Sequence, residues 1–260
     1  MTVRLAACAE MLWPDRPIHW RAARLHEMGF GVGLWNWPDW DLDALEATGA
    51  DFTIMNGYLH GRLADDAGAD MLLASARETA AIGLRLGVDR LNLHGTGLGP
   101  GGLPLLQIAS VAPGMWQKAR DTLHRVCDLG EDLGVTFALE NLNQRDHPGC
   151  PFASTADVLE LVSTINRPQL RITLDLYHTQ VGEGDVIRWA CACAPWIGEV
   201  QVADNPGRCE PGTGEMHWPN IARALAAMGY TGPVALEAYA SGTEEAALDA
   251  FRAAFTPEDD

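Results

Sequence analysis

The nine residues LRITLDLYH, positions 170–178, decide the fold. An apolar, β-branched run breaks off at Asp175, and His178 follows three residues later. Three other stretches have the same form: TFALE at 136–140, EVQV at 199–202 and VALE at 234–237. Each brings one oxygen-bearing side chain, Glu140, Gln201 or Glu237, to the C-terminal end of a strand-like run. Strand side chains alternate faces, so Leu139, Leu174, Val200, Val202 and Leu236 point one way and Glu140, Asp175, Gln201 and Glu237 the other. Two residues earlier on the polar side stand Ala138, Thr173, Glu199 and Ala235. That mostly small set suits a narrow barrel interior with polar groups gathered at one mouth.

Working outward, strand patterns fall at 4–12, 31–35, 52–58, 90–94, 136–140, 170–175, 198–204 and 233–239. Helical patterns fill 16–28, 41–48, 67–86, 113–133, 154–165, 185–196, 218–228 and 243–255, with glycines closing several of them. Strict alternation predicts a parallel sheet, and its economical closure is a single-domain α/β (β/α)8 TIM barrel over 1–260. An open doubly wound sheet is the rival. Its GxGxxG turn is missing, because the first turn reads WPDRP at 13–17. The tail PEDD, 257–260, is expected to fray. In a barrel the C-terminal strand ends build the site, so Glu140, Asp175, Gln201 and Glu237 are expected to meet there.

Composition narrows the function classes. With 35 acidic and 18 basic residues the formal net charge is −17. This opposes a nucleic-acid partner or an anionic membrane surface, since no basic cluster offsets it. No run approaches the ~18–20 apolar residues of a membrane span, and the N-terminus lacks a secretory apolar core. The six cysteines show no CxxC pair and no regular framework, which fits reduced thiols in a cytoplasmic protein.

A single carboxylate after a strand is ordinarily a solvated loop start or helix cap. Four oxygen donors in matching strand phase repel one another without a cation, and an all-oxygen set favours Mg2+ or Mn2+ over zinc. His178 either aims at a substrate oxygen or bonds backbone. Arg208, in the rigid loop 204–215, either grips a substrate oxygen or pairs with Glu210. Asn56, His60 and His94 lie near the ends of strands three and four. The candidate substrate contacts are Arg208, His94, Asn56 and Glu210. Trp13, Trp35, Trp37 and Trp40 follow strands one and two and are read mainly as packing. The glycine-rich segment 95–102 reads as a flexible loop rather than a phosphate cradle, because no GK[ST] follows. Cys191 and Cys193 are assigned no chemistry.

ALEN at 138–141, LDLYH at 174–178, VQVADNPGRCEPGTGE at 200–215 and LE at 236–237 together resemble the hydroxypyruvate isomerase branch of the xylose isomerase-like TIM barrels. The resemblance implies that Glu140, Asp175, Gln201 and Glu237 bind one divalent ion. It further implies that Glu140 and Glu237 form the proton-transferring pair, with His178 and Arg208 against the substrate. The implied reaction is aldose-ketose isomerisation of a short α-hydroxycarbonyl compound through an enediolate, in a barrel of a kind often dimeric or tetrameric. Ketose 3-epimerisation and C-glycoside cleavage are the alternatives within the superfamily. An endonuclease IV-type enzyme needs a histidine-rich zinc cluster and a basic groove, and neither is present. The hydroxypyruvate isomerase branch commonly continues its last strand as Glu-Tyr-Lys-Pro, whereas this chain reads Glu237-Ala238-Tyr239-Ala240, which implies one cation fewer at the mouth.

Overall fold

A computed structural model describes residues 3–35 and 37–256; the 257–260 tail lies outside them. Eight parallel strands close into one barrel in chain order: β1 (Arg4–Cys8), β2 (Gly31–Leu34), β3 (Phe52–Asn56), β4 (Arg90–Leu93), β5 (Thr136–Glu140), β6 (Leu170–Asp175), β7 (Ile197–Val202) and β8 (Pro233–Leu236). Closure is made by β1 against β8, with Leu5 opposite Val234 and Ala7 opposite Leu236. The open doubly wound sheet is thereby excluded. Outside the wall lie α1 (Ile18–Glu27), α2 (Leu42–Glu46), α3 (Asp66–Arg85), α4 (Pro113–Leu133), α5 (Thr155–Ile165), α6 (Leu176–Gly182), α7 (Val186–Cys193), α8 (Trp218–Ala227) and α9 (Glu244–Phe255).

Local chemistry fixes most boundaries. The side chains of Asp41, Asp65, Ser154 and Thr243 each accept a hydrogen bond from the third residue on, the N-cap geometry that removes an orphan N–H. Gly134 ends α4 in a left-handed conformation at φ 71°. The interior is narrow at β2, where a Cβ on Gly31 would lie 2.6 Å from Cγ2 of Thr53. Between wall and helices, Leu139, Leu174, Val200, Val234 and Leu236 are fully buried. Burying each stabilises the fold by roughly 1.5–3 kcal/mol. An aromatic chain closes the seam, with Phe251 stacked on Phe30 at 6.1 Å and edge-on to Phe255 at 5.5 Å.

Several expected boundaries shift, and strands three and seven end two residues early, at Asn56 and Val202. Residues 9–12 do not extend the first strand: Ala9–Met11 turn into a 3-10 helix that carries Glu10. The sixth expected helix breaks, because α7 stops at Cys193 and Pro195 sits in a separate 3-10 turn, Ala194–Trp196. The last strand ends at Leu236, so Glu237 stands one residue past it. All six cysteines are free thiols.

Candidate active site

Glu140 is the last residue of β5 and is 4% exposed. Its Oε2 lies 3.0 Å from Nε2 of His94 and accepts a short hydrogen bond from the Asn92 amide. Burial works to raise this carboxyl, but His94, Asn92 and the charge of Arg208 outweigh it and hold it below the ordinary value.

Asp175 is both the last residue of β6 and the N-cap of α6, accepting the His178 N–H at 3.0 Å. Asn141 grips the junction: its Oδ1 accepts the Asp175 N–H at 2.9 Å, and its Nδ2 donates to the Asp175 carbonyl at 3.0 Å. Because the helix starts at once, His178 sits in its first turn, not in an open loop. Asn143 donates to Nδ1 of His178 at 2.6 Å, its amide oriented by the Asp146 N–H at its Oδ1. Burial, followed by the charge of Arg208, pushes the imidazole well below its usual range, so the ring is neutral.

Gln201 on β7 is buried, and its Oε1 has no hydrogen-bond partner among the described residues. Glu237 follows β8 and hangs from the Val202 carbonyl by its own N–H at 3.0 Å. Arg208 reaches in from the β7–α8 loop at φ 52°. Its Nη2 stands 2.8 Å from Glu237 Oε1 and 3.4 Å from Asp175 Oδ2, and its guanidinium lies 5.0 Å from the Tyr177 ring centroid. The loop is held by Asp204, whose carboxylate accepts the N–H groups of Asn205, Gly212 and Met216 and the indole N–H of Trp218.

Of the two alternatives for Arg208, pairing with Glu210 does not occur; it pairs with Asp175 and Glu237. Glu210 instead ties two loops together by accepting the N–H and hydroxyl of Ser241 at 2.9 and 2.5 Å. Asn56 donates to the Tyr58 carbonyl at 2.6 Å, and the Tyr58 hydroxyl lies 3.3 Å from His94 Nδ1. His60 is exposed, with its backbone N–H on Ser75. Trp13 is buried edge-on to Trp20, and Trp37 donates to Thr79.

The ligand atoms of Glu140, Asp175 and His178 lie within 4.8 Å of one another and could hold a metal ion. The donor chemistry fits such an ion in a second way. Three buried carboxylates, Glu140, Asp175 and Glu237, face one guanidinium, which leaves two negative charges to balance. Burial, with the charge of Glu140 adding to it, pushes Asp175 up to about 7 and Glu237 well above its ordinary value. A divalent cation would meet that deficit, and the unpartnered oxygen of Gln201, in register with Asp175, would offer a neutral donor.

Several residues of the site carry little or no signal in the sequence. Asn92 lies two residues before His94, in phase with it, and that spacing is the one clue to it. Glu10, in the 3-10 turn after β1, accepts the Trp35 N–H at 2.6 Å and is pushed up to about 7 by burial; nothing in its context marks it. Asn141, Asn143, Asp146 and His147 follow Glu140 in a loop whose geometry no periodicity encodes.

A closed parallel barrel with an acidic, metal-capable mouth at the carboxyl ends of its strands is a TIM barrel with its candidate site where that fold builds one. Residues 42–255 match the Xylose isomerase-like TIM barrel family, and the chain belongs to it. It is 29% identical to a putative hydroxypyruvate isomerase of Streptomyces coelicolor over 91% of this chain and 90% of that one. It is 34% identical to hydroxypyruvate isomerase of Escherichia coli over a stretch that spans 44% of either chain. A crystal structure titled AP endonuclease, family 2, from Brucella melitensis superposes with a TM-score of 0.84 at 24% identity, covering 97% and 99% of the two chains. At that identity the likeness concerns the fold alone.

Proposed function

We propose that this chain is a metal-dependent isomerase that interconverts a short aldose- and ketose-type α-hydroxycarbonyl compound, hydroxypyruvate-like or 2-oxo-tetronate-like in size, through an enediolate. The observation that carries the reading is the uncompensated charge of Glu140, Asp175 and Glu237 around Arg208, beside the unpartnered oxygen of Gln201. Glu140, Asp175, Gln201 and Glu237 would hold the ion, Mg2+ or Mn2+, with His178 close to two of them. When bound, a divalent ion supplies Lewis acidity to adjacent carbonyl and hydroxyl oxygens of the substrate.

The chain's own groups do the rest. Glu140 is fixed by His94 and Asn92. Glu237 gives one oxygen to Arg208, while its Oε2 has no hydrogen-bond partner among the described residues. Glu237 is therefore the carboxylate free to take the proton from one carbon and return it to the next. His178, neutral and held by Asn143, moves protons between the two substrate oxygens, and Arg208 orients them. Where both glutamates address one carbon, the outcome is epimerisation, the second reading. It is supported by their origin on strands separated by β6 and β7, which brings them in from different sides.

No helix among the described residues is long and apolar enough to cross a membrane. The free thiols support a reducing, cytoplasmic setting, and the superfamily resemblance alone speaks for a homo-oligomer. The test is proton NMR of the Mn2+- or Mg2+-loaded protein in D2O with hydroxypyruvate, tartronate semialdehyde, tetruloses, pentuloses and hexuloses. Solvent deuterium entering a carbon next to the carbonyl, abolished by EDTA and by Glu237→Gln, is the expected result. No exchange with any of them would overturn the reading.

A further inference from the structure

His147 stands in the loop between β5 and α5 and takes no part in the proton transfers assigned to Glu237 and His178. Its Nδ1 lies 2.6 Å from the carbonyl oxygen of Gly102, in the glycine-rich loop after β4. A carbonyl only accepts, so Nδ1 carries the hydrogen, and in a neutral ring Nε2 is then a bare acceptor. That Nε2 is buried and has no hydrogen-bond partner among the described residues. No acceptor among the described residues reaches Nε2, so nothing holds a second proton there and the ring is neutral. It packs edge-on against His178 with centroids 5.1 Å apart. At 7% exposure it is enclosed as Glu140 and His178 are, at 4% and 1%.

An orphan buried acceptor is destabilising unless a donor reaches it, and no donor among the described residues does. The two guanidiniums nearby lean on protein groups and not on Nε2. Arg208 lies on Asp175 and Glu237, and Arg145 lies on Asp146 and the Tyr177 hydroxyl. The segment that follows Glu237 offers Ala238 and Tyr239 in place of a cation. A terminal carboxylate on the substrate would find no donor at Nε2 and would set its lone pairs against that of the ring. A hydroxyl has the hydrogen that Nε2 lacks.

We propose that His147 is a specificity-determining residue whose Nε2 accepts a hydrogen bond from a substrate hydroxyl beyond the reacting carbons, so that the site selects an uncharged polyhydroxy ketose or aldose over a 2-oxo acid. This rests on the isomerase reading given above. Gly102 sets the ring's position: it adopts φ 74°, and a Cβ there would come within 2.8 Å of Cε1 of His147.

The test joins a binding readout to kinetics on the metal-loaded full chain. In long-range 1H–15N spectra, with His147 assigned by its loss in His147→Gln, the free protein is expected to show Nδ1–H and an unprotonated Nε2. Addition of a tetrulose or pentulose shifts Nε2, and hydroxypyruvate does not. For the ketose that turns over, the analogue lacking one distal hydroxyl is expected to have a KM at least ~10-fold higher, with kcat little changed. In His147→Leu the two compounds perform alike, and Gly102→Ala weakens the same discrimination. A protonated Nε2, an Nε2 shift produced by no polyol, or equal discrimination in wild type and His147→Leu would overturn the proposal while leaving turnover intact. Ketose-induced shifts without deuterium exchange would instead overturn the isomerase reading and leave the hydroxyl site standing.

Discussion

Arg208 Nη2 and Glu237 Oε1 stand 2.8 Å apart inside the barrel mouth, and the same nitrogen lies 3.4 Å from Asp175. Arg208 is thus the fixed cation of a site with three carboxylates. It is 19% exposed at its side chain, and burial is offset by the charges of Asp175, Glu237 and Glu140, which raise its pKa.

Removing that cation leaves buried carboxylates without their partner. Arg208→Met is expected to lower the stability of the metal-free protein by about 3 kcal/mol, the scale for breaking one side of a buried pair. Thermal unfolding in EDTA and in Mn2+ checks this, with the loss expected to shrink in Mn2+. An equal loss in both conditions would contradict the charge balance described here.

Glu199 sits deeper in the barrel, fully buried, with neither carboxylate oxygen hydrogen-bonded among the described residues and Arg90 Nη1 3.9 Å away. Burial, only partly offset by Arg90, pushes it up to about 8. A group raised in the folded state adds stability that is fully present below its unfolded value near 4.5 and is lost as pH rises towards 8. A tenfold change in a protonation equilibrium corresponds to about 1.4 kcal/mol, before relaxation of the protein reduces it. Glu199→Gln is expected to flatten the decline between about pH 5 and 8.5 and to unfold at a higher temperature than wild type at the upper end. Circular dichroism melts across that range would show the two curves converging at low pH.

Asp204 uses both oxygens twice: Oδ1 takes the N–H groups of Asn205 and Met216, and Oδ2 takes Gly212 and the Trp218 indole. In Asp204→Asn the amide nitrogen would face donors. A loss of about 2 kcal/mol follows from two buried donors left unmet. Because this loop carries Arg208, turnover should fall at least as far as with a direct Arg208→Lys change. Urea unfolding together with deuterium-exchange rates separates the two effects.

The parts of this architecture that are legible in the sequence have strong local signals. Pro113–Leu133 and Thr136–Glu140 come out with the bounds their patterns predict, and Thr155–Ile165 does so one residue past its cap, because Gly134 and Ser154 close their helices and the strand alternates cleanly. The in-phase positions Glu140, Asp175, Gln201 and Glu237 point to one mouth because strand alternation is a backbone property. What stays hidden depends on chain folding back on itself. His178 reads as a loop residue because Asp175 serves as strand end and helix cap at once, which only the structure reveals. The pairing of Arg208 is undecidable in sequence because both Glu210 and the mouth carboxylates are available, and only the loop built around Asp204 turns it inward. His147 gives no signal at all, since its role follows from one carbonyl 45 residues away.

The most direct test of the account's central claim is a calorimetric titration of Mn2+ into EDTA-stripped protein, wild type beside Asp175→Asn. The charge balance of the mouth predicts one ion per chain for wild type and an affinity lower by roughly 10- to 100-fold for Asp175→Asn. No binding in wild type, or binding that Asp175→Asn leaves unchanged, would contradict it.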